Sequence, residues 1–237
     1  MLNVTDPHSR GFARLTGLFY LIIVVAGVFS IAYVPSVLLV PGSPGETLAN
    51  IAQQRGLFHL GLLGDAVLMA AEIMVTAMLY FMFRGVNDVI ALAAAMARFA
   101  MVAVMAAMLF FQAGTMMALD RPDLLAGLGD GSAQAVAALM LHLHGSGVAI
   151  WQIFFTMHLV LLGWLVMRSG CYPRLLGYGL MLGAFGYLTD TVAQHLYPDV
   201  AWLEMLRIGL LAIVTLSEIG FALWLTFIGP RQHSLQS

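Results

Sequence analysis

The chain has no lysine and one cysteine, Cys171, and only 9% of its 237 residues are charged. Each shortage excludes something. Without lysine there is no Schiff base, so retinal and other imine chemistry are ruled out. One cysteine cannot make an intrachain disulfide, a CxxC redox pair or a thiolate metal cage. No CxxCH run occurs, so covalent haem is excluded too. Soluble domains are roughly one quarter charged, so a soluble globular fold is not expected. Nucleic-acid binding and disorder need polar, charge-rich chains and are excluded with it. A net charge of −2 points to no strongly charged partner. The seven histidines form neither an HExxH motif nor clustered boxes.

What is present is hydrocarbon: 61% of the residues are hydrophobic. A membrane span takes about 20 apolar residues, and six segments qualify: 15–34, 57–83, 89–119, 147–166, 175–196 and 202–228. Pro35, Pro41 and Pro44 punctuate the end of the first, and Arg84, Gly85, Asn87 and Asp88 form a turn after the second. The first apolar stretch exceeds a signal-peptide core of about 7–15 residues and no A-x-A site follows, so it reads as a retained helix. The loops 45–54 and 133–143 read as short helices on the outer surface. Gly179 and Gly183 make a GxxxG, with Gly186 nearby, which predicts close packing of the fifth span on a neighbour. The expected fold is an all-α polytopic bundle of six transmembrane helices with two short outer-surface helices, in one integral membrane domain.

Arginine placement sets the orientation. With the N-terminus inside, the inner side holds Arg10, Arg14, Arg84, Arg168, Arg174 and Arg231, and the outer side Arg55, Arg121 and Arg207. Trp151 and Trp202 then fall at the outer interface and Trp164 and Trp224 at the inner one, as an aromatic belt requires. Both termini are expected in the cytoplasm, with the protein in the inner membrane and the lipid bilayer as its surroundings.

Ionisable groups cost roughly 2.5–3.5 kcal/mol each at the centre of a span. Six lie within spans: Asp65, Glu72, Arg98, His158, Asp190 and Glu218. At about 1.5 Å per residue, Asp65 and Asp190 sit roughly 7–8 Å outward of their helix midpoints. His158 falls near the centre, and Glu72, Arg98 and Glu218 slightly inward. An inner layer of Arg98 with Glu72 or Glu218 is a structural ion pair, because a buried arginine needs a carboxylate to be tolerated. An outer layer of Asp65, Asp190 and His158 is the candidate catalytic site, open to the outside. Gln112, Gln152, Gln194, His59 and His195 would line it. Two carboxylates in one pocket raise the pKa of one, which yields an acid poised to give a proton. The same histidine and carboxylates, His158, Asp65 and Asp190, are also a donor set for a divalent metal. The bland alternative is a hydrogen-bonded polar core that fixes helix register.

Several runs carry a resemblance to a known family: RLTGLFYL at 14–21, GLFHLGLLGD at 56–65, LHLHG at 141–145, HLVLLG at 158–163, RSG at 168–170, PRLLG at 173–177 and GYLTD at 186–190, with Glu218 in the last span. Over about residues 10–229 the chain resembles the bacterial integral membrane proteins grouped as domain of unknown function 4386. The resemblance implies a multi-spanning membrane protein and carries over no catalytic residue.

Three functions compete. The first is an enzyme acting on a lipid or isoprenoid-like substrate, with Asp65 or Asp190 as general acid and His158 as base or metal ligand. The second is a small proton-coupled transporter, its relay continuing inward through Glu72 and Glu218. The third is a non-catalytic membrane scaffold or sensor, for which short tails leave little output apparatus.

Overall fold

The computed structural model describes residues 4–197 and 200–231, with the side chain of His195 outside that set. Among these residues all regular structure is helical. Helix α1 (Arg10–Gly27) passes through a π turn (Val28–Tyr33) into α2 (Val34–Leu38). Helices α3 (Pro44–Gln53), α4 (Arg55–Phe83) and α5 (Asp88–Asp120) follow. A 3-10 stretch (Pro122–Leu128) leads to α6 (Ser132–Ser169), then α7 (Arg174–His195) and α8 (Ala201–Leu223), which ends in a second π turn (Trp224–Ile228).

Five helical stretches are long and apolar enough to cross a membrane: Arg10–Leu38, Arg55–Phe83, Asp88–Asp120, Ser132–Ser169 and Ala201–Ile228. These make the chain a multi-pass membrane protein, and large apolar side chains such as Val89, Phe110 and Leu216 stand exposed on their surfaces. Helix α7, expected as a span, has 22 residues but is less apolar. It gives positions to Gly177, Gly179, Gly183 and Gly186, and one to Asp190.

Two further expectations are corrected. The first helix was expected to stop before Pro35, yet helix continues to Leu38. The π turn shifts the backbone hydrogen-bond register just before the proline, so its missing N–H falls in the first turn of α2, where no partner is needed. The segment 133–143 is not a separate surface helix. It forms the start of α6, which runs unbroken for 38 residues, about 57 Å at the α-helical rise. Gly147 sits inside this continuous helix and serves packing. A Cβ there would lie 2.5 Å from Met108 Cγ, so the glycine lets α5 and α6 approach.

The chain divides into two compact units. Residues 23–70 and 103–148 form one of them. Its core joins Val34, Leu38, Ile51, Phe58 and Met116, and a second cluster joins Leu48, Ala118 and Ala137. Helix α3 is therefore docked on protein through Thr47, Leu48 and Ile51, residues spaced on one helical face. The Thr47 hydroxyl accepts from the Val40 N–H at 2.9 Å and the Asn50 amide donates to the Leu38 carbonyl at 3.3 Å.

Residues 1–22, 71–102 and 149–237 belong to the other unit. Here α7 lies along α8 at close range, as the GxxxG predicts. A Cβ at Gly183 would meet the Val214 backbone nitrogen at 2.4 Å, and one at Gly179 would meet Ser217 Oγ at 2.0 Å. Both glycines of the R-L-x-G runs do the same work: Gly17 abuts Thr226, and Gly177 abuts Gly163. With helix backbones this close, van der Waals contact replaces the hydrophobic drive that lipid cannot supply.

A methyl at this seam must push backbone apart. Gly183→Ala is expected to lower stability by about 1–3 kcal/mol, the usual cost of overpacking. Gly209→Ala, also on α8, adds a Cβ that meets nothing within 4 Å and is expected to be neutral or stabilising by up to about 1 kcal/mol through helix propensity. Thermal unfolding of both variants in detergent checks the contrast.

Candidate functional site

Arg98, on α5, is fully buried at 0% exposure. Its Nε donates to Glu72 Oε2 of α4 at 2.5 Å. Its Nη1 donates to the Tyr20 hydroxyl of α1 at 2.9 Å and to His158 Nε2 of α6 at 2.8 Å. The guanidinium also lies 4.9 Å from the Tyr20 ring centre and 5.9 Å from that of Phe155. The other nitrogen of His158, Nδ1, is 2.9 Å from the Ala94 carbonyl. A carbonyl only accepts and a guanidinium only donates. His158 must therefore carry its proton on Nδ1 and present a lone pair at Nε2. Both ring nitrogens are thus engaged. Glu218 of α8 lies within electrostatic range of Arg98 and Glu72. The expected ion pair of Arg98 is with Glu72, and His158 joins that cluster. Residue depth alone had grouped His158 with Asp65 and Asp190. Depth says nothing of which way a side chain turns around its helix.

Asp190, on α7, is satisfied from three directions. Arg207 Nη1 and the Gln194 amide reach Oδ1 at 2.8 and 2.7 Å, and the Gln152 amide reaches Oδ2 at 2.6 Å. Arg207 also holds Glu204 at 2.5 Å. Gln152 in turn accepts from Thr191 at 2.5 Å. An aspartate that accepts three donors, one cationic, is a held anion.

Asp65 has a different set of neighbours. It lines a cavity of about 60 Å³ with Ser30, Gln112 and His144, under apolar walls that include Val34 and Phe58. Ser30 lies beside Asp65 with its hydroxyl donating to the Ala26 carbonyl at 2.9 Å, and His144 lies within electrostatic range of Asp65. Gln112 Nε2 is 3.3 Å from His144 Nε2, and His144 Nδ1 is 3.3 Å from the Met108 carbonyl. With the Gln112 amide nitrogen facing Nε2 and the Met108 carbonyl facing Nδ1, His144 carries its proton on Nδ1 and accepts at Nε2. Gln112 Oε1 is buried and has no partner among the described residues. No arginine pairs with Asp65 among the described residues, in contrast to Glu72 and Asp190. The close approach of the first π turn and α2 to α4 that shapes this cavity needs Gly61 and Gly64, where a Cβ would come to 3.0 Å from Val34 and Ser30.

The residues beside Asp65 therefore differ from those beside Asp190 and His158. Among the described residues no three His, Cys, Asp or Glu side chains converge as metal ligands. His59 is exposed on α4, and the side chain of His195 lies outside the described residues. Three participants escaped the sequence reading. Tyr20 gave no signal, since tyrosine is ordinary near a membrane interface. Arg207 was placed at the outer surface, although it shares a helix face with Glu218 eleven positions on. His144 lies in the LHLHG run at 141–145, two positions from His142, a spacing that turns the two side chains to nearly opposite helix faces.

A family model described as domain of unknown function (DUF4386) matches residues 15–229. An uncharacterized protein of Archaeoglobus fulgidus is 33% identical over 85 residues, 36% of this chain and 48% of the relative. The chain thus spans about half the length of that curated relative, which is archaeal where the resemblance implied bacterial proteins. No solved structure matches.

Removing one member of a buried ion pair strands the other. Glu72→Leu is expected to cost about 3–5 kcal/mol, and the double variant Arg98→Leu/Glu72→Leu to cost less than Glu72→Leu alone. Denaturant titration in detergent reads the difference. Equal losses would mean that the pair does not act as a unit. A hydrophobic carbodiimide is expected to modify Asp65 ahead of Asp190 and Glu72, whose oxygens are held by arginine. Mass mapping of the labelled peptides gives the order.

Proposed function

For a chain that belongs to the DUF4386 family, whose description names no activity, we propose that the working site is the pocket of Asp65, His144, Gln112 and Ser30, and that it takes the polar end of a lipid-soluble molecule. The single observation that carries this reading is the contrast among the carboxylates. Glu72 and Asp190 are held by arginines. Asp65 is buried without a cation, beside a neutral imidazole and an amide oxygen with an unused lone pair. Idle polar groups are expensive in such surroundings. A ligand hydroxyl would satisfy them by donating to Gln112 Oε1 while its oxygen faces Asp65. The cavity of about 60 Å³ accommodates a few polar atoms, and its apolar walls suit an isoprenoid or acyl chain entering from the side.

In this reading α7 completes a set of six spans, both termini lie in the cytoplasm of an inner-membrane protein, and the pocket faces the outer half. Asp65 is the proton donor or acceptor for the bound group, and His144 holds Gln112 in register through its Nε2. Asp190 and His158 act at one remove. The first anchors α7 to α6 and α8, and the second seats Arg98. A proton-coupled transporter would use the same unpaired acid for transfer across the membrane.

The test is retention and flux with the full chain. Lipid-soluble molecules extracted from purified wild type are compared by mass spectrometry with those from Asp65→Asn and Gln112→Leu. The expected result is one species enriched in wild type and lost from both variants, with unfolding temperature unchanged. Proton flux into liposomes that depends on Asp65, with no retained molecule, would replace the binding site by the transport reading. No change in either measurement would reduce the pocket to structural polarity.

A further inference from the structure

A second cavity, of about 400 Å³, lies within the unit built from residues 1–22, 71–102 and 149–237. It is lined by His8 before α1, by Met82 and Gly85 at the end of α4, and by Arg168, Ser169 and Tyr172 around the end of α6. No residue of the Asp65 pocket touches it. Its volume falls in the range of small-molecule and headgroup sites, roughly 300–1,000 Å³.

The charge of its wall has one sign. The exposed Arg168 side chain stands over the Trp164 ring at 5.5 Å, a contact that leaves its charge in place. Among the described residues no carboxylate pairs with Arg168 and none lines the cavity. In sequence Arg84, Arg231 and Asp6 adjoin the lining residues Gly85, Pro230 and Pro7, and the Asp6 carboxylate accepts from the His8 N–H at 3.0 Å. Tyr172 is packed between Phe83 and Phe221. Burial holds its hydroxyl well above the ordinary tyrosine range, so it adds no negative charge at neutral pH. Arginine placement puts this end of the helices on the cytoplasmic side. A cavity of this size, with the Arg168 guanidinium in its wall and no carboxylate among its described lining residues, suits an anion.

We propose that this cavity binds a phosphate group, with Arg168 as its principal contact and His8 as a second donor at the mouth. The guanidinium fork matches phosphate oxygens in a way that an ammonium does not. The phosphate can belong to a membrane phospholipid headgroup or to a water-soluble phosphate, and the two sources are separable.

Gly85 supplies a test that leaves Arg168 intact. A Cβ there would meet nothing within 4 Å, so a large side chain can enter the cavity without displacing backbone. The full chain in detergent is examined by native mass spectrometry with phosphatidylglycerol and with phosphate-free diacylglycerol, and by calorimetry with inorganic phosphate. Wild type, Arg168→Ala, Arg168→Lys and Gly85→Trp are compared. The expected result is selective retention of phosphatidylglycerol or measurable phosphate binding. Arg168→Ala is expected to weaken it about tenfold or more, the loss of one hydrogen bond to a charged group. Arg168→Lys should recover part of it and Gly85→Trp should abolish it. Retention of phosphatidylglycerol without phosphate binding identifies a lipid headgroup, and phosphate binding without lipid retention a soluble ligand. The proposal is overturned if wild type binds neither, or if a folded Gly85→Trp binds like wild type. Should Arg168→Ala fail to fold, the Gly85→Trp comparison decides alone.

Discussion

A guanidinium with no access to water has to be answered by the protein around it. Arg98 is such a group, and its answer recruits Tyr20 from α1, Glu72 from α4 and His158 from α6. Each partner uses a different property. Glu72 supplies the opposing charge, Tyr20 a hydroxyl oxygen and a ring face, and His158 a lone pair made available because Ala94 takes its proton. Four helices from distant parts of the sequence are thereby fixed in rotation as well as in height. A buried pair of this kind gives little net stability over apolar packing. What it fixes is register, because any slip leaves a charge unpaired.

The seam between α7 and α8 works by the opposite means. Nothing polar is needed where Gly179, Gly183 and Gly186 let backbone meet backbone. The cost is a helix with fewer apolar side chains, and α7 is correspondingly the least hydrophobic of the long helices. Asp190 at its far end is affordable there because Arg207, Gln152 and Gln194 surround it. The polar and glycine-rich character of α7 is thus explained by protein neighbours rather than by exposure to water.

Among the described residues Arg98 Nη2 and Arg207 Nε are also buried without a hydrogen-bond partner, but the Asp65 pocket combines an unused buried acceptor with a carboxylate that no arginine holds. Gln112 has an unused buried oxygen, and Asp65 has a hydroxyl and an imidazole nearby but no cation. Function in membrane proteins concentrates at such incomplete sites, because saturated groups have nothing left to offer a ligand. The cavity at Arg168 differs in kind. It is larger, cationic and bordered by ring faces, and so suited to an anion rather than to a proton or a hydroxyl.

Hydropathy along the chain was enough to determine that the protein is helical and spans a membrane, since apolar run length is a one-dimensional property. The GxxxG at 179–183 announced a close helix contact, because spacing of four places both glycines on one face. The presence of Arg98 required a buried carboxylate, and charge alone makes that demand. Which carboxylate answers it was decided only by tertiary structure, because the rotation of α4, α5 and α8 about their own axes is set by side-chain packing across helices. The same rotations sent His158 to Arg98, Asp190 to Arg207 and His144 to the side of Asp65. They also kept α6 helical through Gly145 and Gly147. Sequence distance fixes position along a helix but carries no record of the neighbouring helix, and the site is made of neighbours.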